Sequence, residues 1–377
     1  MVELGTLITQ AKTVRCGESN YPVLSMTMND GLVLQDDRFK KVIASKDKSD
    51  YKVVYRDQLV ISFPIDEGVL ATQRITDVGI VSPAYGIWDV DQEKVVPEFL
   101  EYALRCERSI AYYKAKLRGS TARRRSLPTP TLLAHTVPLP SIEEQKYVLD
   151  LIHKVETIIH LRKDELKELD ALTKARFIEL FGDLNVNPKG WELKPFDELT
   201  NLITDGEHST PRRCKEGIYL LSARNVLNHE LQLEDVDYID DEEYERISKR
   251  IIPQSGDVLL SCSGTVGRCC CVPEGLKFQM VRSIALLRFK EELNPVFAEY
   301  MITSDFVQQQ IDKAKTASSQ ANLFQGKIAK LRGFVPPREL QDEFLVFVKQ
   351  VDKSKLLEAR QAGFIAKNRP TNISFCR

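Results

Sequence analysis

The sequence predicts an α+β protein in which two similar mixed α/β domains are joined by long antiparallel coiled-coil-like helices, a pseudo-two-fold repeat within one chain. Three observations predict it. Four short blocks recur in the same order at offsets of 196 to 199 residues, the stretch from Ile142 to Leu180 holds neither Gly nor Pro, and Pro and Gly residues punctuate both of its ends.

The duplication comes first, because missing an internal repeat misreads the whole architecture. Tyr21-Pro-Val-Leu-Ser25 is matched by Ile218-Tyr-Leu-Leu-Ser222, and Asp57-Gln-Leu-Val-Ile-Ser62 by Gly256-Asp-Val-Leu-Leu-Ser261. Pro97-Glu-Phe-Leu-Glu-Tyr102 is matched by Pro295-Val-Phe-Ala-Glu-Tyr300, and Pro140-Ser-Ile-Glu-Glu-Gln145 by Pro336-Pro-Arg-Glu-Leu-Gln341. Each block alone is weak; one order and one spacing together argue for two copies of a unit.

Within each copy the first part is mixed. Runs rich in β-branched and aliphatic residues (Lys52-Val-Val-Tyr55, Leu59-Val-Ile61, Val258-Leu-Leu260) read as strands, separated by turn residues such as Gly31, Gly68 and Gly264. Helices follow from Phe99 to Leu117 and from Phe297 to Ala317, each opened by a Pro suited to the first helical turn.

The second part is a long helix. Apolar residues recur on one face at Val148, Leu149, Ile152, Val155, Ile158, Ile159, Leu166, Leu169 and Leu172, with Lys154, Glu156, Lys163, Asp164, Lys167 and Glu168 around them. The ladders Val148/Val155/Leu169 and Ile152/Ile159/Leu166 have the seven-residue period of a coiled coil. Such a helix is about 58 Å long. Its stripe needs a cover, and Phe344, Val348, Val351, Leu356 and Leu357 of the second copy are the expected partner helix. Pro138 and Pro140 precede the first helix, Phe181-Gly182-Asp183 ends it, and Pro336-Pro337 precedes the second. The resulting division is 1–140, 141–183, 184–337 and 338–377.

Composition narrows the classes of function. Lys and Arg total 53 against 54 Asp and Glu, a formal net charge of -1, so any nucleic-acid surface is local rather than global. No apolar run reaches the roughly 18 residues of a membrane span and no signal peptide is present, which predicts a cytoplasmic protein without a membrane partner. The eight cysteines (Cys16, Cys106, Cys214, Cys262, Cys269, Cys270, Cys271, Cys376) are expected as free thiols. Cys262 and Cys269 to Cys271 lack the C-x2-C spacing of a zinc site and read as core strand, so no metal is expected. Gly264-Thr-Val-Gly267 lacks the Lys-Ser/Thr ending of a phosphate loop and reads as a tight turn between strands.

Two unlike heads on helical spacers suit two unlike half-sites at a fixed separation. Here the residues also resemble a known family. Val137-Pro-Leu-Pro-Ser-Ile-Glu-Glu-Gln145 running into the helix that ends Lys174-Ala-Arg-Phe-Ile-Glu-Leu-Phe-Gly-Asp183, the block Gly256-Asp-Val-Leu-Leu-Ser-Cys-Ser-Gly-Thr-Val-Gly-Arg268, and Phe334-Val-Pro-Pro337 with Gln341 and Phe344 resemble the specificity subunit of type I restriction enzymes over essentially the whole chain. The resemblance implies two target-recognition domains with central and distal helical spacers. It implies double-stranded DNA as ligand, two modification (methylating) subunits and two restriction subunits as partners. It also implies no cofactor on this chain, with S-adenosylmethionine, ATP and Mg on the partners. Two departures from the pattern are expected to matter: Gly363 and Pro370 interrupt and end the distal spacer, which looks shortened, and the first domain has no counterpart of Trp191-Glu-Leu-Lys-Pro195.

Contact with DNA calls for Lys and Arg on phosphates and for Arg, Asn, Gln and Ser at base edges. In the first domain the candidates are Lys114, Lys116, Arg118 and above all Arg123, Arg124 and Arg125, three adjacent arginines whose repulsion a phosphate backbone relieves. In the second they are Arg212, Arg213, Lys215, Arg224, Asn225, Arg268, Arg282, Lys313 and Lys315. The spacer-helix candidates are Val148, Ile152, Val155, Ile159, Leu166, Leu169, Phe344, Val348 and Val351.

Two other classes compete. Asn294-Pro-Val-Phe297 is similar to the Asn-Pro-Pro-Tyr/Phe signature of amino-methylating enzymes, but the first copy has Val96-Pro-Glu-Phe99 there, and no glycine-rich turn seats S-adenosylmethionine. Asn294 therefore reads as a helix N-cap and the chain as having no catalytic residue. A helical scaffold without DNA binding is the other alternative.

Overall fold

A computed structural model describes the backbone of residues 1–28, 30–38, 48–117, 127–316 and 321–367, and the side chains of all of these but 37, 38 and 357–367. Residues 1–163 and 164–358 each form a compact unit. The first contains β1 (Val2–Glu3), β2 (Ile8–Gln10), β3 (Leu24–Thr27), β4 (Gly31–Leu34), α1 (Gln35–Arg38), β5 (Lys52–Tyr55), β6 (Leu59–Ile61), β7 (Leu70–Thr72), β8 (Val78–Val81), β9 (Gly86–Val90), α2 (Pro97–Arg105), α3 (Glu107–Lys116), α4 (Thr129–Leu133) and β10 (Thr136–Val137). Helix α5 (Ile142–Phe181) leads into the second unit. There follow β11 (Lys194–Pro195), α6 (Phe196–Leu199), β12 (Thr200–Asp205), β13 (Ile218–Leu221), β14 (Val226–Leu227), β15 (Glu230–Leu231), β16 (Asp237–Ile239), α7 (Asp241–Ser248), β17 (Val258–Ser261), β18 (Cys269–Cys271), β19 (Phe278–Met280), β20 (Ile284–Phe289), α8 (Pro295–Thr303), α9 (Asp305–Ala314), α10 (Gln325–Ile328), β21 (Arg332–Gly333) and α11 (Arg338–Lys367).

The repeat read from the sequence is a repeat of structure. Each unit has a four-stranded antiparallel sheet, ordered β2-β9-β6-β7 in one and β12-β20-β17-β18 in the other. The registers match as well: Leu59 faces Trp88 and Val60 faces Ile87, as Val258 faces Leu287 and Leu259 faces Leu286. The turn entering the matched strand needs a left-handed residue in both, Asp57 at φ 68° and Gly256 at φ 86°. Both faces of the second sheet are covered, so its strands read as unbroken apolar runs rather than alternating ones. Val258, Leu260 and Cys269 point to the helices, while Leu259, Cys270 and Leu286 meet the second-layer strands. The triple cysteine is thus interior strand, its first two side chains buried on opposite faces, and the thiols of the described cysteines are free.

The second layers diverge. A parallel step survives in both, Val23 beside Ile80 and Leu220 beside Gln279. The strands added to this step differ, however: β4 pairs with β3 and β5 with β8 in the first unit, whereas β16 pairs with β13 in the second.

Several expectations are corrected. Val2–Glu3 pairs with β10 just as Lys194–Pro195 pairs with β21, so the Lys194-Pro195 strand does have a first-copy counterpart. Helix α11 runs through Gly363 without a break; Pro370 lies outside the described residues. On α5, Ile158 and Leu172 are 43% and 50% exposed, and on α11 Leu356 is 53% exposed, so these three leave the buried stripe. The N-terminal parts of α5 and α11 are equivalent to one another, and each packs on its own head: Val148, Leu149 and Ile152 join the first core, Phe344 and Val348 the second. Among the described side chains, helix pairing is seen in the C-terminal part of α5. There Phe177 and Phe181 stack edge-on against Phe344, Arg176 binds Glu343, and Lys355 Nζ lies 2.6 Å from Asp170, an antiparallel register.

Candidate nucleic-acid interface

In the second unit, β12 and β17 run away from the helix attachments and β20 runs back toward them. The attachment end is marked by Gln341, whose Oε1 accepts from Asn294 N at 2.8 Å and whose Nε2 donates to Glu292 O and Pro336 O. At the opposite end, the loops after β12, β13 and β17 meet the turn before β20. Ala223 N donates to Ser283 Oγ, Cys262 N to Ser283 O and Arg282 N to Glu207 O. The packing is close: a Cβ on Gly206 would lie 2.3 Å from Met280 O.

The candidate arginines fall into two groups here. Arg212 is held by Glu242 at 2.7 Å and Asp240 at 3.1 Å, which raise its basicity further, and Arg213 is held by Asp237 at 3.0 Å. Arg224 binds Asp237 at 3.2 Å. Lys315 is taken by Asp312 at 2.6 Å. Arg268 is half-buried and Arg282 exposed, and neither guanidinium has an acidic or hydrogen-bonding partner among the described residues. In the first unit Lys116 is exposed at the end of α3, while Arg118, Arg123, Arg124 and Arg125 lie outside the described residues.

Asn225 is a correction. It is 1% exposed, and its side chain closes a capping box with Ser222 and donates to Gln232 O and Asp235 O, so no group is left to read a base. The signal was present as Ser222-x-x-Asn225, a cap spacing. Asn294 is the N-cap of α8, its Oδ1 accepting from Val296 N at 3.0 Å. Gly264 to Gly267 form the turn between β17 and β18.

The spacer candidates are placed as follows. Val148, Ile152, Ile159, Phe344, Val348 and Val351 are buried, and Val155, Leu166 and Leu169 half-buried. Gln145, Ile152, Ile159, Leu166, Thr173 and Leu180 form one seven-residue ladder along α5, with Gln145 and Thr173 as buried polar members. Reading apolar letters alone missed those two.

Two repeated polar locks also escaped the sequence reading. Gln145 holds Val96 N, Lys94 O and Pro140 O as Gln341 holds their counterparts. Glu101 and Glu299, both buried, accept the backbone N–H of Thr72 and Cys271 respectively. Arg105 and Arg74 neutralise the first; His229, in a left-handed conformation at φ 65°, meets the second at 2.6 Å and stacks on Tyr300. A cavity of about 310 Å³ beside this pair is lined by Asp170, Lys174, Phe177, His229, Tyr300 and Ser304. Burial raises the thiol of Cys262 to about 12 and pushes Cys269 higher than a free thiol, which opposes the thiolate a metal requires.

Residues 188–362 match the family model of the type I restriction modification DNA specificity domain. The matched residues, somewhat under half of the chain, are similar to that domain. The chain is similar to the MjaVIII type I restriction enzyme specificity subunit of Methanocaldococcus jannaschii, with 19% identity over 254 residues, 61% of this chain and 58% of the relative. It thus spans about 58% of that relative's length. Two solved structures share the fold: a chain from a study of complex assembly and conformational transition of the type I R-M system (16% identity, 99% of this chain and 96% of that one, TM-score 0.58), and the type I S subunit from M. genitalium (11%, 98% and 93%, TM-score 0.51). The specificity domain, as matched, takes in the whole β12-β20-β17-β18 sheet, its loop end, and α11 up to residue 362. The first unit, outside that match, repeats the pairing of the central strands of the sheet.

Proposed function

We propose that this chain is the DNA-recognition subunit of a type I restriction-modification complex, reading a bipartite, asymmetric target and directing methylation and cleavage by its partners. Segments 1–140 and 184–337 act as reading heads, and 141–183 and 338–377 as spacers. The observation that carries this is one scaffold built twice, alike in sheet order and in the pairing of its central strands but different in second-layer strands and loops. A common scaffold with unlike reading surfaces suits two unlike half-sites. Double-stranded DNA, two modification subunits and two restriction subunits are the partners. S-adenosylmethionine, ATP and Mg act on those partners and no cofactor on this chain, which works in the cytoplasm; among the described residues no helix is long and apolar enough to cross a membrane.

On this reading the chain itself is not catalytic. The one methyltransferase-like motif is used as a helix cap, and the described His, Cys, Asp and Glu side chains do not converge as a metal site. The test is to co-express the chain with its methylating partner and map modified bases genome-wide. A split motif with unequal halves is expected. A contiguous motif, no motif, or methyl transfer by the purified chain alone would refute the proposal.

A further inference from the structure

We infer that Arg268 and Arg282 are the arginines with which the second head engages DNA, Arg268 reading a base edge and Arg282 a phosphate; this rests on the DNA-recognition reading above. Of the eleven arginines in residues 164–358, nine spend their guanidinium on carboxylates or backbone carbonyls of the same unit: Arg176, Arg212, Arg213, Arg224, Arg246, Arg250, Arg288, Arg332 and Arg338. The two left over among the described residues are not scattered. Arg268 O accepts from Ser261 N, and the next residue, Cys262, donates to Ser283, the neighbour of Arg282. They therefore flank the loop end of β17 on its two sides, roughly 10 Å apart at the backbone, two strand spacings. Two uncompensated like charges this close repel, and an anion between or beneath them relieves the repulsion.

Their settings differ, and so do their roles. Arg268 is anchored. Its N–H donates to Ser261 Oγ at 2.9 Å, and the preceding Gly267, at φ 100°, is clasped by Gln308 Nε2 at 3.0 Å from its carbonyl. The residue is half-buried. A planar five-donor fork rising from an anchored backbone suits bidentate recognition of guanine O6 and N7. Arg282 stands exposed in the turn before β20 and suits a phosphate, where position matters less than charge.

The first head lacks this device. The residue matching Arg268 is Val69, 7% exposed, and its loop carries Asp66 and Glu67. Any effect of the two arginines is therefore confined to one half of the target.

The experiment uses the full chain assembled with its methylating partner and a DNA library randomised in both halves. Arg268→Lys keeps the charge and loses the fork; it is expected to reduce base discrimination about tenfold or more at one or two positions of one half-site. Arg282→Gln is expected to weaken binding to all sequences and to lower the slope of log K against log salt by about one. Arg338→Gln, whose partner is Asp342, leaves the motif unchanged. Unaltered discrimination in Arg268→Lys, an unaltered slope in Arg282→Gln, or a change spread over both halves overturns the inference. A wild-type complex with no sequence preference at all overturns the DNA-recognition reading itself, and is recognised before any variant is compared.

Discussion

Gln145 and Gln341 show how much a single buried amide can do in this chain. Each is fully buried, accepts from the N–H at the start of its head's first long helix, and donates to two carbonyls, so one side chain ties strand end, helix start and spacer together. Leucine in its place fits the volume but strands these groups. Gln341→Leu is expected to cost about 1–3 kcal/mol, read as a lower denaturant midpoint at unchanged slope; a stabilised variant would show that the lock is dispensable. Ser109 and His135 make the opposite case. Ser109 Oγ donates to Ala103 O and lies 2.8 Å from His135 Nε2, beneath the Tyr112 ring, but the second unit fills the same positions with Val307 and Leu331. The pair is therefore packing rather than catalysis. Burial, with Arg108 nearby, pulls the imidazole down to about 4. A histidine depressed in the folded state adds stability that is complete above about pH 6.5 and is lost as pH falls toward 4, at up to ~1.4 kcal/mol per pH unit. Ser109→Val with His135→Leu should flatten that loss between pH 7 and pH 5 relative to wild type, and equal acid sensitivity in both proteins would refute the assignment. Such polar locks are hard to read from sequence, because a buried Gln or Asn has the same letter as a solvated one. Asn225 was misplaced on a reading surface for that reason, although its spacing from Ser222 carried the cap.

At the scale of the element, periodicity did most of the work where the environment on each side of a helix is uniform. Helix α5 covers Ile142–Phe181, one residue longer than the segment read from the sequence, because the closing residue is Gly182 at φ 81°. The stripe was less legible than the helix. Its cover changes along the rod, from the first head to the pair formed with α11, so residues such as Ile158 and Leu172 that fit one continuous stripe face solvent instead. The energetics of the paired end can be ranked. Phe344 is fully buried against Phe177, Phe181 and Tyr300, whereas Lys355 and Asp170 form an ion pair with the acid 64% exposed. Phe344→Ala is expected to destabilise the second unit by about 3–5 kcal/mol, and Lys355→Ala by less than about 1 kcal/mol. Denaturant unfolding of the two variants decides the ranking; a larger loss in Lys355→Ala would mean that the helix pair is held by charge.

For the whole molecule, the duplication separates what holds a head in place from what the head reads. The sheet register, the left-handed turn at Asp57 and Gly256, the paired glutamates and the glutamine locks are common to both units, while the loops at the far end of the sheet and the second-layer strands are not. If the common parts serve only as a mount, a head is transferable. Replacing the first head, from the strand before its first turn to the prolines before α5, with its counterpart from the second head keeps every lock, because both donors and acceptors recur at the same offsets. The chimera should fold, assemble with the methylating partner and modify a target in which the second head's half-site appears twice, with Arg268 and Arg282 now acting on both halves. A chimera that assembles yet still modifies the original unequal motif would place sequence recognition outside the exchanged heads, in the spacers or in the partner.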